Sequence, residues 1–184
     1  LHYPLRRQRQ MCIRDSIQAQ LIETILLNII NFHTLIATKA SRIRQIALND
    51  TLMEFGTRRG QEIDAALWGA RATFIGGFDS TSNVRAGKLF DIPVSGTHAH
   101  ALVQTYGDEY TAFKKYAERH TNCVFLVDTF HTLKSGVPTA IKVAKELGDT
   151  INFIGIRLDS GDIAYLSNCL LYTSDAADEE DSVD

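Results

Sequence analysis

Cysteine is scarce in this 184-residue chain: Cys12, Cys123 and Cys169 lie far apart, with no C-x-x-C pair among them. That argues against a zinc knuckle and against a disulfide framework, and it makes a reducing cytoplasm the expected compartment. Long hydrophobic runs are lacking as well. The greasiest stretch, Leu21 to Ile36, is interrupted by Glu23, Asn28, Asn31 and His33, whereas a transmembrane helix needs about 20 predominantly apolar residues, so no membrane span is expected. A charge excess of one sign is missing from the interior: the formal net charge is −3, yet Ile17 to Ser167 holds fifteen Lys and Arg and fifteen Asp and Glu. The imbalance lies in a basic head with Arg6, Arg7, Arg9 and Arg14 and an acidic tail rich in Asp and Glu from Asp175 onward. Nothing in that distribution implies a nucleic-acid partner. What is present, 45% hydrophobic residues, suffices for one soluble domain with a sizeable core.

Both ends differ in character from the middle. Met-Cys-Ile-Arg-Asp-Ser (Met11 to Ser16) and Leu-Tyr-Thr-Ser-Asp-Ala-Ala-Asp-Glu (Leu171 to Glu179) resemble peptides that arise when sequencing-adapter DNA is translated. Residues 1–16 are therefore set apart as a non-native or disordered head and 168–184 as a non-native or disordered tail, leaving 17–167 for fold reasoning.

From Leu5 to Phe55 there is neither Gly nor Pro, and apolar residues recur at Ile17, Leu21, Ile25 and Ile29 with Ile22, Leu26 and Ile30 beside them. That spacing predicts a helix. A second helical run, Thr38 to Leu48, carries Lys39, Arg42 and Arg44 on what reads as a solvated face. Beyond it, short β-like runs precede helical stretches: Thr51 to Arg59 before Gln61 to Ala72, Ile92 to Thr97 before a helical region reaching His120, Cys123 to Asp128 before Val137 to Leu147, and Asn152 to Asp159 before a helix near Asp162. Val94, Val124 and Ile154 fall thirty residues apart, the length of a strand, a helix and two loops. Such alternation predicts an α/β fold with a parallel sheet and crossover helices, barrel or open.

Polar residues gather where these strands end: Arg58 and Arg59; His98 and His100; Asp128, Thr129 and His131; Arg157, Asp159, Ser160 and Asp162. Parallel α/β folds build their sites at that edge, although Ser160 and Asp162 also read as helix caps. His98 and His100, two apart at a strand end, point the same way if the strand continues. They then suit a metal pair, a reactive histidine with a supporting neighbour, or two structural histidines. The nearby Arg58, Arg59 and Arg157 favour phosphate or carboxylate groups over a dication. Asp159-Ser-Gly-Asp162 could reach ribose hydroxyls or Mg²⁺, or could be an ordinary loop. Gly76-Gly77-Phe78-Asp79-Ser-Thr-Ser-Asn83 lets backbone approach a ligand ahead of a helix N-terminus, or is a glycine turn with an ordinary cap. Phe55, Trp68 and Phe74 read as core, with stacking on a planar ring open to Phe55.

Six blocks in order, Glu54-Phe-Gly-Thr-Arg-Arg59, Ala70 to Val84, Ala86-Gly-Lys88, Gly96-Thr-His-Ala-His100, Leu126-Val-Asp-Thr129 and Gly155 to Asp162, together resemble the nicotinate phosphoribosyltransferase family. The resemblance implies a partial (β/α) barrel of the type II phosphoribosyltransferase kind, preceded by helices and truncated at both ends. It further implies a cytoplasmic salvage enzyme, a homodimer at full length, that joins nicotinate to 5-phosphoribosyl diphosphate with ATP as co-substrate and Mg²⁺ as cofactor. By the family pattern His100 is the phosphohistidine, and Arg157 and Asp159 act with it, Asp159 also as a possible Mg²⁺ contact. Phe55, Arg58, Ser82, His98 and Asp162 are substrate-binding candidates. One block departs: where the family pattern gives Asp-Thr-Tyr-Asp, this chain has Asp128-Thr-Phe-His131. The length implies an interior fragment, expected neither to fold stably nor to turn over by itself because an unclosed parallel sheet exposes edges and apolar surface. Alternatives are a metal-dependent barrel hydrolase using His98, His100 and Asp159, a nicotinamide- or quinolinate-using relative, and an inactive truncated module.

Overall fold

The computed structural model describes residues 17–180, with side chains to residue 172. Cys12 and the adapter-like Met11 to Ser16 lie outside the described residues. The chain divides into two compact units, one ending at Gly96 and the other beginning at Thr97.

The first unit opens with α1 (Ile17–Ala47), a single helix where two were expected. No Gly or Pro interrupts it, so the hydrogen-bond ladder runs on through Thr38. Ala40 is its one buried residue; Ile17, Leu21, Ile22, Ile25, Leu26, Ile29 and Ile30 are all exposed. Among the described helices α1 is the one long and apolar enough to cross a membrane by length and composition. The expectation of no span from sequence rests on Glu23, Asn28, Asn31 and His33 interrupting the apolar run; the helix meets the length and composition criterion in spite of them. Small residues let α1 approach α2 (Ile63–Ile75), since a Cβ at Gly76 would come within 2.5 Å of the Ala40 Cβ.

β1 (Met53–Glu54) pairs in parallel with β2 (Ser80–Thr81) through α2, and α3 (Val84–Phe90) then leads to a single parallel bridge from Thr81 to Val94. The strand expected over Ile92 to Thr97 is thus one bridge. Trp68 and Phe74, expected in the core, are 41% and 39% exposed. Arg44, expected on a solvated face, is a clamp: its guanidinium donates to the carbonyls of Gly77 (2.6 Å), Leu48 and Asp50 and pairs with Asp79 (2.5 Å). The Asp79 carboxyl is held below its usual range by the Leu52 N–H and by Arg44. The glycine turn therefore has a structural anchor, and Gly77 takes a left-handed φ of 105° that favours glycine.

The second unit contains α4 (His100–Tyr106), α5 (Glu109–Ala117), β3 (Asn122–Leu126), a π turn (Thr132–Gly136), α6 (Val137–Leu147), β4 (Asn152–Arg157) and α7 (Ile163–Glu180). The helical region expected to His120 is broken at Gly107, whose φ of 77° ends α4, and Asp108 caps α5 by accepting from the Thr111 N–H at 2.7 Å. β3 and β4 pair in parallel with α6 as the crossover, as the thirty-residue spacing predicts. Their core joins Val103, Phe113, Phe125, Val127, Ala140 and Val143, all fully buried. α7 continues as helix through residues set apart as tail.

Candidate active site

The carboxyl ends of β3 and β4 lie side by side because Leu126 pairs with Arg157 and the Val127 N–H donates to the Arg157 carbonyl at 3.2 Å. This register delivers Asp128 and Asp159 to one place. The Asp128 side chain is 2% exposed, and its Oδ2 accepts from the Asp159 N–H (3.0 Å) and the Ser160 hydroxyl (2.6 Å). Ser160 is therefore tied to Asp128, while Asp162 caps α7 by accepting from the Tyr165 N–H at 3.0 Å.

Arg157 leaves β4 with one guanidinium nitrogen on the Thr97 hydroxyl (2.8 Å) and another on Asp159 Oδ1 (2.7 Å). His100 opens α4; its Nδ1 sits 3.0 Å from the Thr129 hydroxyl, and its Nε2 is 3.5 Å from Asp159 Oδ2 and 3.9 Å from Asp128 Oδ1. Three of the expected residues, His100, Arg157 and Asp159, are thus brought together, with Thr97, Asp128 and Thr129 completing the cluster. Asp128 and Thr129 were among the polar residues expected at the strand ends, without an assigned role; Thr97 was not singled out, although it stands in the Gly-Thr-His block beside His98.

His98 departs from its neighbour. Extended pairing stops at Val94 and His100 is already helical, so the strand continuation on which a shared direction depended does not occur. His98 is 7% exposed and packs against Phe113, Tyr116 and Phe125. Its Nε2 accepts the Leu126 N–H at 3.0 Å, which fixes the neutral tautomer with the proton on Nδ1. Burial lowers its pKa from the ordinary histidine value, and the nearby charges of Arg157 and His100 lower it further. Among the choices open in the sequence, this geometry is that of a structural histidine. His131, where the family pattern has Asp, caps the π turn, its Nδ1 accepting from the Lys134 N–H at 3.2 Å. A carboxylate could do the same there.

The remaining candidates belong to the first unit. Phe55 is half-buried after β1, Arg58 is exposed in a 3₁₀ turn (Thr57–Arg59), and Ser82 follows β2 with its N–H donated to the Glu54 carbonyl at 2.9 Å. Asn83 caps α3 by accepting from the Ala86 N–H at 3.1 Å.

Among the described residues no group of three or more His, Cys, Asp and Glu is arranged to hold a metal ion by itself. Asp159 Oδ2 and Asp128 Oδ1 both face the His100 Nε2, at 3.5 and 3.9 Å, and Asp128 Oδ1 is buried without a hydrogen-bond partner. One or two carboxylates completed by substrate phosphates is the donor set Mg²⁺ commonly takes.

Residues 51–176 match the sequence model of the nicotinate phosphoribosyltransferase (NAPRTase) family. The chain is 73% identical over 151 residues to the nicotinate phosphoribosyltransferase of Bacillus subtilis (strain 168), a match covering 82% of this chain and 31% of that protein. To the human nicotinate phosphoribosyltransferase it is 32% identical over 193 residues, covering 78% and 36%. The crystal structure of human nicotinic acid phosphoribosyltransferase superposes with a TM-score of 0.76 at 30% identity, over 88% of this chain and 42% of that one. A nicotinate-nucleotide pyrophosphorylase from Pyrococcus furiosus superposes with a TM-score of 0.61 at 33% identity, over 71% and 33%. The chain therefore spans about a third of the length of the curated relatives it matches.

Proposed function

The chain belongs to the nicotinate phosphoribosyltransferase family, and from that premise we propose that the complete protein joins nicotinate to 5-phosphoribosyl diphosphate, releasing diphosphate and nicotinate mononucleotide. The observation that carries this is the convergence of His100, Arg157, Asp159 and Asp128 at the ends of β3 and β4. A cluster joining cation, carboxylates and imidazole suits a reaction in which charge must be stabilised on a departing diphosphate.

The pyridine nitrogen forms a bond to the ribose C1 as the bond from C1 to the diphosphate oxygen breaks, and the electron pair leaves with the diphosphate. In the second unit Arg157 meets phosphate oxygens and Asp159 and Asp162 serve the ribose; for the first unit the family pattern gives Arg58 a phosphate contact, Phe55 the stacking on the pyridine ring and Ser82 its carboxylate. His98 acts from the core by fixing the end of β3. Asp159 with Asp128 would hold Mg²⁺, which when bound neutralises diphosphate charge. ATP phosphorylates His100: with Nδ1–H donating to the Thr129 hydroxyl, the lone pair of Nε2, which faces Asp159 and Asp128, takes the phosphoryl group as ADP departs. A phosphoryl group there would repel the Asp159 carboxylate and loosen it from Arg157, freeing the guanidinium for substrate. The complete enzyme is a cytoplasmic homodimer whose partial (β/α) barrel, begun by residues 17–167, is closed by the rest of the family's length.

The alternative hydrolase would need His98 beside His100 on a metal, and His98 faces the core. The test is a substrate panel on the completed enzyme, made by placing residues 17–167 in the matching segment of the Bacillus subtilis relative. Nicotinate should be converted well ahead of nicotinamide and quinolinate; a preference for either of those, or no transfer, refutes the proposal.

A further inference from the structure

Glu54 is not among the residues assigned a role above, yet both of its carboxylate oxygens and its backbone carbonyl accept hydrogen bonds. We propose that Glu54 is a positioning residue that locks Phe55 and Ser82 into one ring-binding geometry. The inference deepens the function proposed above and rests on it for the identity of the ring.

Glu54 ends β1 directly opposite Thr81 in the parallel register. Its backbone carbonyl accepts the Ser82 N–H at 2.9 Å. One carboxylate oxygen, Oε2, accepts the Thr81 hydroxyl at 2.6 Å, immediately before Ser82. The other, Oε1, accepts the Gly56 N–H, immediately after Phe55. One side chain thus bridges the far flank of Phe55 and the near flank of Ser82. The anchor is firm: Thr81 is fully buried, its N–H donates to the Pro93 carbonyl and its carbonyl accepts the Ser95 N–H, both at 3.0 Å, and its hydroxyl also accepts the Asn83 N–H at 3.1 Å.

Residue type follows from this geometry. Two donors, an amide and a hydroxyl, converge on one side chain, and an ionised carboxylate, an acceptor at both oxygens, can satisfy both with charge-assisted bonds. A Cβ at Gly56 would come within 2.7 Å of the Glu54 Oε1, so the glycine leaves room for the carboxylate to reach the amide. Strand pairing alone would align the two backbones. The carboxylate adds control of the turn that carries Phe55, where a small rotation changes whether the ring lies flat on a ligand.

The test compares Glu54→Ala, Glu54→Gln and Thr81→Val in the completed enzyme. Glu54→Ala should raise the KM for nicotinate about tenfold or more, with the KM for phosphoribosyl diphosphate within about twofold of the parent. Glu54→Gln, which keeps an acceptor for Gly56, should recover most of the loss. Thr81→Val should raise the nicotinate KM, and adding it to Glu54→Ala should bring little further rise in that KM, because both cut one bridge, while the Asn83 N–H contact that Thr81→Val also removes shows as a lower melting temperature. A lowered melting temperature with both KM values moved equally, or neither moved, would mean Glu54 only stabilises the fold and would overturn the proposal. If Glu54→Ala does not fold, Glu54→Gln and Thr81→Val decide. If the parent shows no transfer, the function fails and not the bridge, which is then judged by amide exchange at Gly56: faster exchange in Glu54→Ala supports it, and unchanged exchange overturns it.

Discussion

At the scale of single residues, His98 and His100 show how one residue of separation divides two identical side chains between core and site. A buried imidazole that accepts a backbone N–H is held neutral, so protonation must break the Leu126 bond or expel the ring. Its folded pKa is depressed, hence the unfolded chain takes up the proton first. Stability contributed by neutral His98 is present above the unfolded histidine value of about 6.5 and is lost as pH falls below it toward the folded pKa. His98→Phe keeps the packing against Phe113 and Phe125 but leaves the Leu126 N–H buried and unpaired, which should cost about 1–3 kcal/mol at neutral pH. Thermal melts of the completed enzyme across pH 5–8 check both: the variant should melt lower at neutral pH and lose less on acidification. The sequence carried the pair but not the division, because period-2 reasoning holds only while the backbone stays extended, and pairing ends at Val94. Arg44 was misread for a related reason: helical spacing gives a face, and only the returning Gly77 to Asp79 loop reveals that the face is occupied.

Among the elements, the unit of β3, the π turn, α6 and β4 was the most legible. Its strand, crossover and strand are signalled by apolar runs and a thirty-residue repeat. The π turn was not legible, since a one-residue widening of a helix leaves no mark on hydrophobic periodicity. It places Gly136 under the strand end, where a Cβ would meet the Val127 carbonyl oxygen at 1.9 Å. Gly136→Ala should therefore destabilise the completed enzyme by about 3 kcal/mol, by overpacking rather than by lost contacts. Because Val127 immediately precedes Asp128, the same change should weaken transfer beyond what the melting temperature accounts for. Denaturant unfolding and initial rates on one preparation separate the two effects. β1 and the bridge at Val94 were over-read as longer strands, and β2 was missed inside what reads as a glycine turn: two-residue pairings inside polar, glycine-rich text fall below what alternation can resolve.

For the whole molecule, the family was legible from six short blocks, because distinctive polar and glycine-containing text is spelled out where strands end. Closure was not legible. α1 exposes Ile17, Leu21, Ile25 and Ile29, and the described strands form two separate two-stranded sheets, so hydrophobic burial within these residues is incomplete. The proposed ATP coupling belongs to this scale, since it would link a phosphoryl group on one histidine to turnover by the completed enzyme. The most direct test is the initial rate of nicotinate mononucleotide formation with and without ATP, for the completed enzyme and for His100→Ala. ATP should stimulate the parent, and the variant should retain slow transfer that ATP no longer accelerates. ATP stimulation of equal size in His100→Ala would contradict the assignment of His100 as the phosphoryl acceptor.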